Sequence, residues 1–337
     1  MKMSSNSAVW RRRSRGLFVL GLLSTFGIFF VNIMGFVDTY TGSTMGCGPD
    51  WPLCNGQLIP TSMNPHTLIE FGHRAIVGLV SFMLLFLSMW AWLRYRRSRQ
   101  VKILVLVSLC FVAAQAFLGA MAVFFVNPPA VLALHFGFSL LAFSGVLLLT
   151  VFIYQSEYQN ERRTALVGSV SGSYGKSGSD AFSPLPKGLK RWFYTTFVAV
   201  YAAVYYGAYV SSTGSGEACT GWPLCSGHWF VPLQGSVGLA YAHRLVAIVV
   251  LLLAINLVYQ TRSLRTGRPD VYRAAILSVV LVVLQGASGA YLVLSDIKLN
   301  AFLLHVSIMS LLFGVLSYLV LQALNSSEYT ESFAKVV

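Results

Sequence analysis

Four histidines of this chain form two pairs at a constant offset. His73 and His135 recur 170 residues later as His243 and His305, each within an apolar stretch. Neutral imidazoles that project from neighbouring helices of a bundle are what axial ligation of a heme iron requires. The spacing therefore predicts two bis-histidine heme sites, one in each half of the chain.

Two other interpretations of the histidines are weaker. A single histidine in an apolar helix could be a hydrogen-bonded core residue, but four in matched pairs favour a functional role. Zinc is disfavoured because the second pair has no further His, Cys or carboxylate to complete a tetrahedral shell. A planar cofactor also needs room between helices, which nearby glycines could provide: Gly72, Gly119, Gly137 and Gly289.

A carboxylate distinguishes the first histidine pair from the second. Glu70 precedes His73 by three residues, which places both on one helix face about 4.5 Å apart along the axis. The equivalent residue of the second half is Ala240. An unpaired carboxylate beside a heme edge could act as a base or stabilise developing positive charge. The alternative is a surface carboxylate favoured by the dipole at a helix start, but its absence from the second half favours catalysis.

Further polar residues recur near the histidines. Arg74 and Arg244 each follow a candidate ligand, where a guanidinium could pair with heme propionates or extend to the outer membrane interface. Gln115 and Gln285 could hydrogen-bond a porphyrin edge or a histidine, or could join two helices. The sequence leaves these alternatives open.

Four of the five cysteines lie in two short loops. Close spacing in an oxidising location predicts the disulfides Cys47–Cys54 and Cys219–Cys225. Closing loops this short adds only about 2 to 3 kcal/mol, so their main predicted role is to shape a loop over a heme. A redox-active first pair is the alternative. Cys110 is expected to be a buried packing residue.

Four aromatic or imidazole side chains of the outer loops complete the inventory. His66 and His228 have no partner in the repeat and are expected to face solvent. Trp51 and Trp222 are expected at the membrane border, where aromatic residues are common, or above a heme.

The elements that position these residues are membrane helices. The chain has 337 residues, is 56% hydrophobic and 10% charged, and has a mean hydropathy of +0.67, which excludes an ordinary soluble globule. Apolar runs of about 20 residues predict helices that cross the bilayer. The first run is too long for a cleavable signal peptide. The eight predicted spans are 16–37, 68–93, 102–125, 130–153, 192–211, 239–260, 272–294 and 299–324.

The net charge of +13 reflects membrane topology rather than nucleic-acid binding. Lys and Arg cluster in alternate loops, whereas residues 39–72 and 212–242 contain neither. The positive-inside rule therefore places both termini in the cytoplasm and the cysteine loops outside. A bacterial plasma membrane is the expected location, with anionic lipid as a secondary partner.

The predicted fold is an all-α integral membrane protein of two four-helix halves. Residues 1–153 and 192–337 share motifs such as Trp-Pro-Leu-Cys, and residues 154–191 are expected to be a cytoplasmic linker rich in Ser and Gly. Because each half has an even number of spans, the duplication is predicted to be parallel, about an axis along the membrane normal.

Together these features resemble the heme A synthase family. The segment from Glu70 to Arg74 is similar to the family element Glu-x-x-His-Arg, and the paired cysteines and the histidines of helices two, four, six and eight fit it over nearly the whole chain. The resemblance implies that the first half takes heme o, supplied by heme o synthase. It implies that a ring methyl is oxidised to a formyl group, which gives heme a for terminal oxidases.

The resemblance also implies roles for individual residues. His73 and His135 would flank the substrate heme, with Glu70 as the catalytic carboxylate and a functional role for the first cysteine pair. His243 and His305 would ligate heme b. The alternative is a bis-histidine di-heme b electron-transfer protein, which the outer location of all four histidines disfavours. The electron acceptor, the oxygen source and the oligomeric state, a homo-oligomer included, stay open.

Overall fold

The protein is all-helical in its computed structural model, which describes the backbone of residues 3–62, 64–169, 185–186 and 188–334 and the side chains of 15–62, 64–157, 185–186 and 188–324. Apart from two isolated bridges in the cysteine loops, no strand occurs among these residues. The α-helices are α1 (Met3–Tyr40), α2 (Pro65–Arg94), α3 (Arg99–Phe124), α4 (Pro129–Ser169), α5 (Leu189–Ser212), α6 (Gly235–Thr261), α7 (Pro269–Leu294) and α8 (Leu299–Ala334).

Seven of the described helices are long and apolar enough to cross a membrane. The exception is α5, whose 24 residues include five tyrosines and begin with Lys190 and Arg191 close together. The fifth predicted span is thus present as a helix, and its passage through the membrane stays a prediction.

The predicted linker is only partly described. Helix α4 continues beyond residue 153 to Ser169, into the segment expected to be the linker. Residues 170–184 and 187 lie outside the described part of the chain. The linker itself therefore stays a prediction.

The chain divides into two compact units. The first consists of Met1–Asp38, Ser43–Phe117 and Leu141–Lys176, and the second of Thr39–Gly42, Leu118–Leu140 and Ser177–Val337. His73 and Glu70 belong to the first unit, and the other three paired histidines belong to the second. The predicted halves were defined by sequence repetition, and their boundaries stay a prediction.

The core of the first unit joins four helices. Helix α2 buries one stripe at helical spacing, with Val80, Leu84, Leu87 and Ala91 all at most 6% exposed. Buried residues of α1, α3 and α4 complete the same cluster. Small residues bring α1 and α4 close: a Cβ on Gly21 would lie 2.8 Å from Thr150 Oγ1.

A hydrogen bond joins the residue that follows α2 to helix α4. The Tyr95 hydroxyl donates to the Glu157 carboxylate at 2.8 Å. Burial and the adjacent carboxylate raise the pKa of Tyr95, so the phenol stays a donor.

In the second unit, α5 packs against α6 and α8, while α7 packs against α6 and α8. A buried charge is neutralised where α7 begins. Arg268 donates to both oxygens of Asp270 at 3.0 and 2.9 Å and to Gln322 Oε1 at 2.8 Å. Such pairing is what allows a guanidinium to be buried.

Candidate functional site

The first cysteine loop is fastened to the start of α2. Asn64 caps the helix, because its Oδ1 accepts the Thr67 N–H at 2.9 Å. The Thr67 hydroxyl donates to Gly46 O at 2.8 Å, and Ser43 Oγ lies 3.0 Å from His66 Nδ1. These bonds hold the loop against the helix that carries the candidate catalytic residues.

Glu70 is buried beneath this loop, with only 3% of its surface exposed. Its Oε2 accepts the Cys47 N–H at 2.6 Å, and its Oε1 pairs with Arg74 Nη2. The expectation of an unpaired carboxylate is therefore wrong. Residues four apart on a helix are neighbours, so Arg74 reaches Glu70, while the folded loop supplies the amide.

Both predicted cysteine pairs are disulfide-bonded, Cys47 with Cys54 and Cys219 with Cys225. All four cysteines are at most 2% exposed. Spacing therefore correctly identified the pairing.

The two arginines tie these loops to the helices. Arg74 Nη1 donates to Leu53 O at 2.6 Å, and Arg244 donates to Cys219 O at 2.8 Å and to Leu224 O at 3.1 Å. Neither alternative considered from the sequence included this role. Arg244 has only carbonyl partners among the described residues, since Ala240 replaces the glutamate, and pairing of either arginine with propionates stays a prediction.

His73 contacts α1 at two points. Its Nδ1 lies 3.7 Å from Asp38 Oδ2, and a Cβ on Gly35 would lie 3.2 Å from its Cε1. Sequence reasoning missed both residues. An acidic residue within an apolar helix is the signal that could have identified Asp38.

Each paired histidine rests against a glycine of a neighbouring helix. Without a Cβ, the backbone can approach the imidazole edge closely. A Cβ on the glycine would lie 3.2 Å from the histidine Cε1 in the pair Gly35–His73 and 3.4 Å from it in the pair Gly119–His135. The same distance would be 2.7 Å in the pair Gly207–His243 and 3.2 Å in the pair Gly289–His305.

The glycines named from the sequence divide accordingly. Gly119 and Gly289 do lie against histidines, whereas a Cβ on Gly72 would meet nothing within 4 Å and one on Gly137 would lie 3.1 Å from the Tyr201 hydroxyl. Gly35 and Gly207 were missed, although they too occupy equivalent positions in the repeat.

The second unit holds His243 and His305 close enough to interact electrostatically. His305 is oriented by Gln285, whose Nε2 lies 3.0 Å from its Nε2, and by Ser288, whose Oγ lies 3.0 Å from its Nδ1. The Gln285 contact fits one of its predicted roles, whereas Ser288 was missed because Leu118 occupies its place in the first half. His243 Nδ1 is buried and has no hydrogen-bond partner among the described residues.

Other candidates take varied positions. His135 and Gly119 belong to the second unit, whereas Gln115 is partly buried in the first unit. The predicted hydrogen bond of Gln115 to a histidine or a porphyrin edge therefore stays a prediction. His66 and His228 are exposed, as expected.

The prediction that Cys110 is buried is wrong. Cys110 is exposed, because it lies on a face of α3 that does not pack into the unit. No cluster of three metal-ligating side chains occurs in the described part of the chain.

Comparison with known proteins gives the family. The chain matches the COX15-CtaA family, described as cytochrome oxidase assembly protein, over residues 18–174 and 190–237. It is 36% identical to the heme A synthase of Geobacillus kaustophilus over 304 residues, 90% of each chain. It is also 36% identical to the heme A synthase of Shouchella clausii over 313 residues, 91% of this chain and 97% of that protein. The resemblance drawn from the motifs is thereby confirmed, and the chain belongs to the COX15-CtaA family of cytochrome oxidase assembly proteins.

Proposed function

We propose that this protein is a heme A synthase, an oxidoreductase that converts a ring methyl of heme o to a formyl group. Two successive oxidations are required, each of which removes two electrons and adds one oxygen atom to the methyl carbon. The first gives an alcohol and the second an aldehyde hydrate that loses water, so the reaction also needs an electron acceptor and a source of oxygen. The observation that carries the proposal is Glu70, a buried carboxylate one turn from His73 and held by Cys47 and Arg74. The second half keeps the paired histidines but has Ala240 in place of the glutamate.

Glu70 is suited to act on the substrate because its position is fixed. Two donors on separate segments hold its carboxylate, which limits the rotamers open to it. We assign it the stabilisation of positive charge at the methyl carbon or the acceptance of a proton from that carbon. His73 and His135 flank the substrate heme in this proposal, which rests for that pair on the sequence repeat.

The second half fits a resident heme b ligated by His243 and His305. The buried Nδ1 of His243 and the glycine beside each imidazole support this assignment. Bound heme b supplies one-electron redox chemistry. Ser288 contacts His305 at Nδ1, as the outer contacts of metal-bound histidines commonly do.

The parallel duplication, with both termini cytoplasmic and both cysteine loops outside, belongs to the same proposal. Supporting it, backbone with positive φ recurs at matched positions between the last helices of each half. Val126 and Asn127 have φ of 57° and 59°, and Asp296 and Ile297 have φ of 54° and 56°. We place the protein in the cell membrane, where it receives heme o from heme o synthase.

The test replaces Glu70 by Gln in protein co-expressed with heme o synthase, followed by extraction and chromatographic identification of the hemes. Heme a per protein is expected to fall by at least about 100-fold, because a positioned acid-base group contributes on that order. Heme b is expected to remain.

Glu217→Gln provides a matched control, since Glu217 is an exposed glutamate of the second cysteine loop. It is expected to leave both hemes unchanged. A wild-type yield of heme a in Glu70→Gln would contradict the proposed role of Glu70. If the wild-type protein holds only heme b, whether or not heme o is supplied, the electron-transfer protein is favoured instead.

A further inference from the structure

A second carboxylate, Asp38 of α1, distinguishes the first half from the second. Gly35 and Gly207 fix the register, because each contacts the histidine of the following helix. In that register Asp38 corresponds to Val210. The first half therefore has two buried carboxylates, Asp38 and Glu70, where the second half has none.

Asp38 faces the imidazole of His73. It is 6% exposed, and its Oδ2 lies 3.7 Å from His73 Nδ1. Gly35, one turn earlier on α1, contacts the same ring at Cε1. Helix α1 therefore sets both the position of the ring and the charge beside its Nδ1.

The separation of 3.7 Å exceeds hydrogen-bond range, so the contact is electrostatic in this structure. A carboxylate beside Nδ1 favours the tautomer with the proton on Nδ1, which leaves Nε2 for a metal. It also makes the imidazole a stronger donor to that metal. His243, by contrast, has no described hydrogen-bond partner at Nδ1.

We propose that Asp38 is a positioning residue for the substrate heme, acting through His73 to stabilise the more oxidised state of that heme and lower its reduction potential. This inference rests on the proposed function, in which His73 ligates heme o.

The charges around His73 indicate how Asp38 could favour the oxidation of the substrate heme. Asp38 and Glu70 are close enough to interact electrostatically, and Arg74 pairs with Glu70. Positive charge that develops during oxidation is stabilised by nearby negative charge, most strongly at low dielectric. Val210 and Ala240 provide no such charge around His243.

The test is an anaerobic optical redox titration of full-length Asp38→Asn, purified after co-expression with heme o synthase. The ferric–ferrous equilibrium of the heme o or heme a component is expected to shift about tenfold toward ferrous, about 59 mV for a one-electron couple. The heme b component serves as an internal control and is expected to keep its potential. Heme a yield is expected to fall as well.

Asp38→Glu keeps the charge and guards against a folding defect. Loss of the first-site heme in Asp38→Asn, with retention and near wild-type potential in Asp38→Glu, supports the inference. An unchanged potential in Asp38→Asn overturns the inference alone, as does loss of that heme in both variants. A wild-type protein without heme o or heme a overturns the proposed function and this inference together.

Discussion

At the scale of single residues, the histidines owe their positions to glycines. Each imidazole lies against backbone that carries no Cβ, and the contact at Gly207 is the closest of the four. A methyl group there would lie 2.7 Å from His243 Cε1, a distance that real Cβ atoms essentially never show. Either the ring or the helix would have to move.

Gly207→Ala is therefore expected to weaken heme b binding by about tenfold or more, in the range of changes around metal ligands. Gly286→Ala is the matched control, because a Cβ there meets nothing within 4 Å, and alanine is a better helix former than glycine. The measurement is heme b absorbance per protein. Equal heme loss in both variants would mean that the effect is general helix packing.

Sequence alone proposed the candidate site residues but few of their contacts. Repetition and spacing selected the histidines and Glu70 as candidates and correctly predicted the disulfides. They could not show that Glu70 accepts the Cys47 amide, since that bond depends on how a loop folds back. Asp38 escaped notice because its relation to His73 depends on the rotation of α1, which no local pattern determines.

At the scale of elements, α2 is capped at its N-terminal end in a way that α6 is not. Asn64 caps α2 through a side-chain hydrogen bond, whereas Gln234 at the N-cap of α6 makes none. The cap lies beside the loop whose backbone holds Glu70. The start of α2 and the candidate catalytic carboxylate are thus parts of one local structure.

Asn64→Ala is expected to lower the free energy of unfolding by about 1 kcal/mol, the usual value of such a cap. Gln234→Ala should change it by much less, because no capping bond is lost. Thermal unfolding in detergent with the hemes bound measures both. Similar losses in the two variants would contradict the capping role of Asn64.

Hydropathy located the helices better than their ends. The predicted span 68–93 corresponds to α2 at Pro65–Arg94, because the Asn-Pro pair starts the helix before the apolar run begins. Helices α1 and α4 extend well beyond their apolar runs, since polar sequence can continue a helix outside the membrane. Hydropathy reports the solvent around a segment rather than its backbone conformation.

At the scale of the whole molecule, the proposed parallel duplication would place both cysteine loops on one side of the membrane. Each loop has a highly exposed apolar residue shortly after its second cysteine, Leu58 at 83% and Phe230 at 90%. These residues can report on which side of the membrane each loop lies.

Single cysteines at Leu58 and Phe230, in a Cys110→Ala background, are both expected to react with a membrane-impermeant maleimide on intact cells. Ser263→Cys, between α6 and α7, should react only after the membrane is opened. Labelling of Leu58→Cys and Phe230→Cys from opposite sides would show an inverted rather than a parallel duplication.

Glu70 obtains its amide donor only when the segment closed by Cys47 and Cys54 has folded onto α2. A newly inserted chain with both thiols reduced already has its four histidines, yet its carboxylate is not locked in place. If the loop lies outside, as proposed, the expected order of biogenesis is membrane insertion, then thiol oxidation, then the fixing of Glu70. Export of the loop would then be a maturation step, which would keep the newly made protein from acting on heme before it is fully assembled.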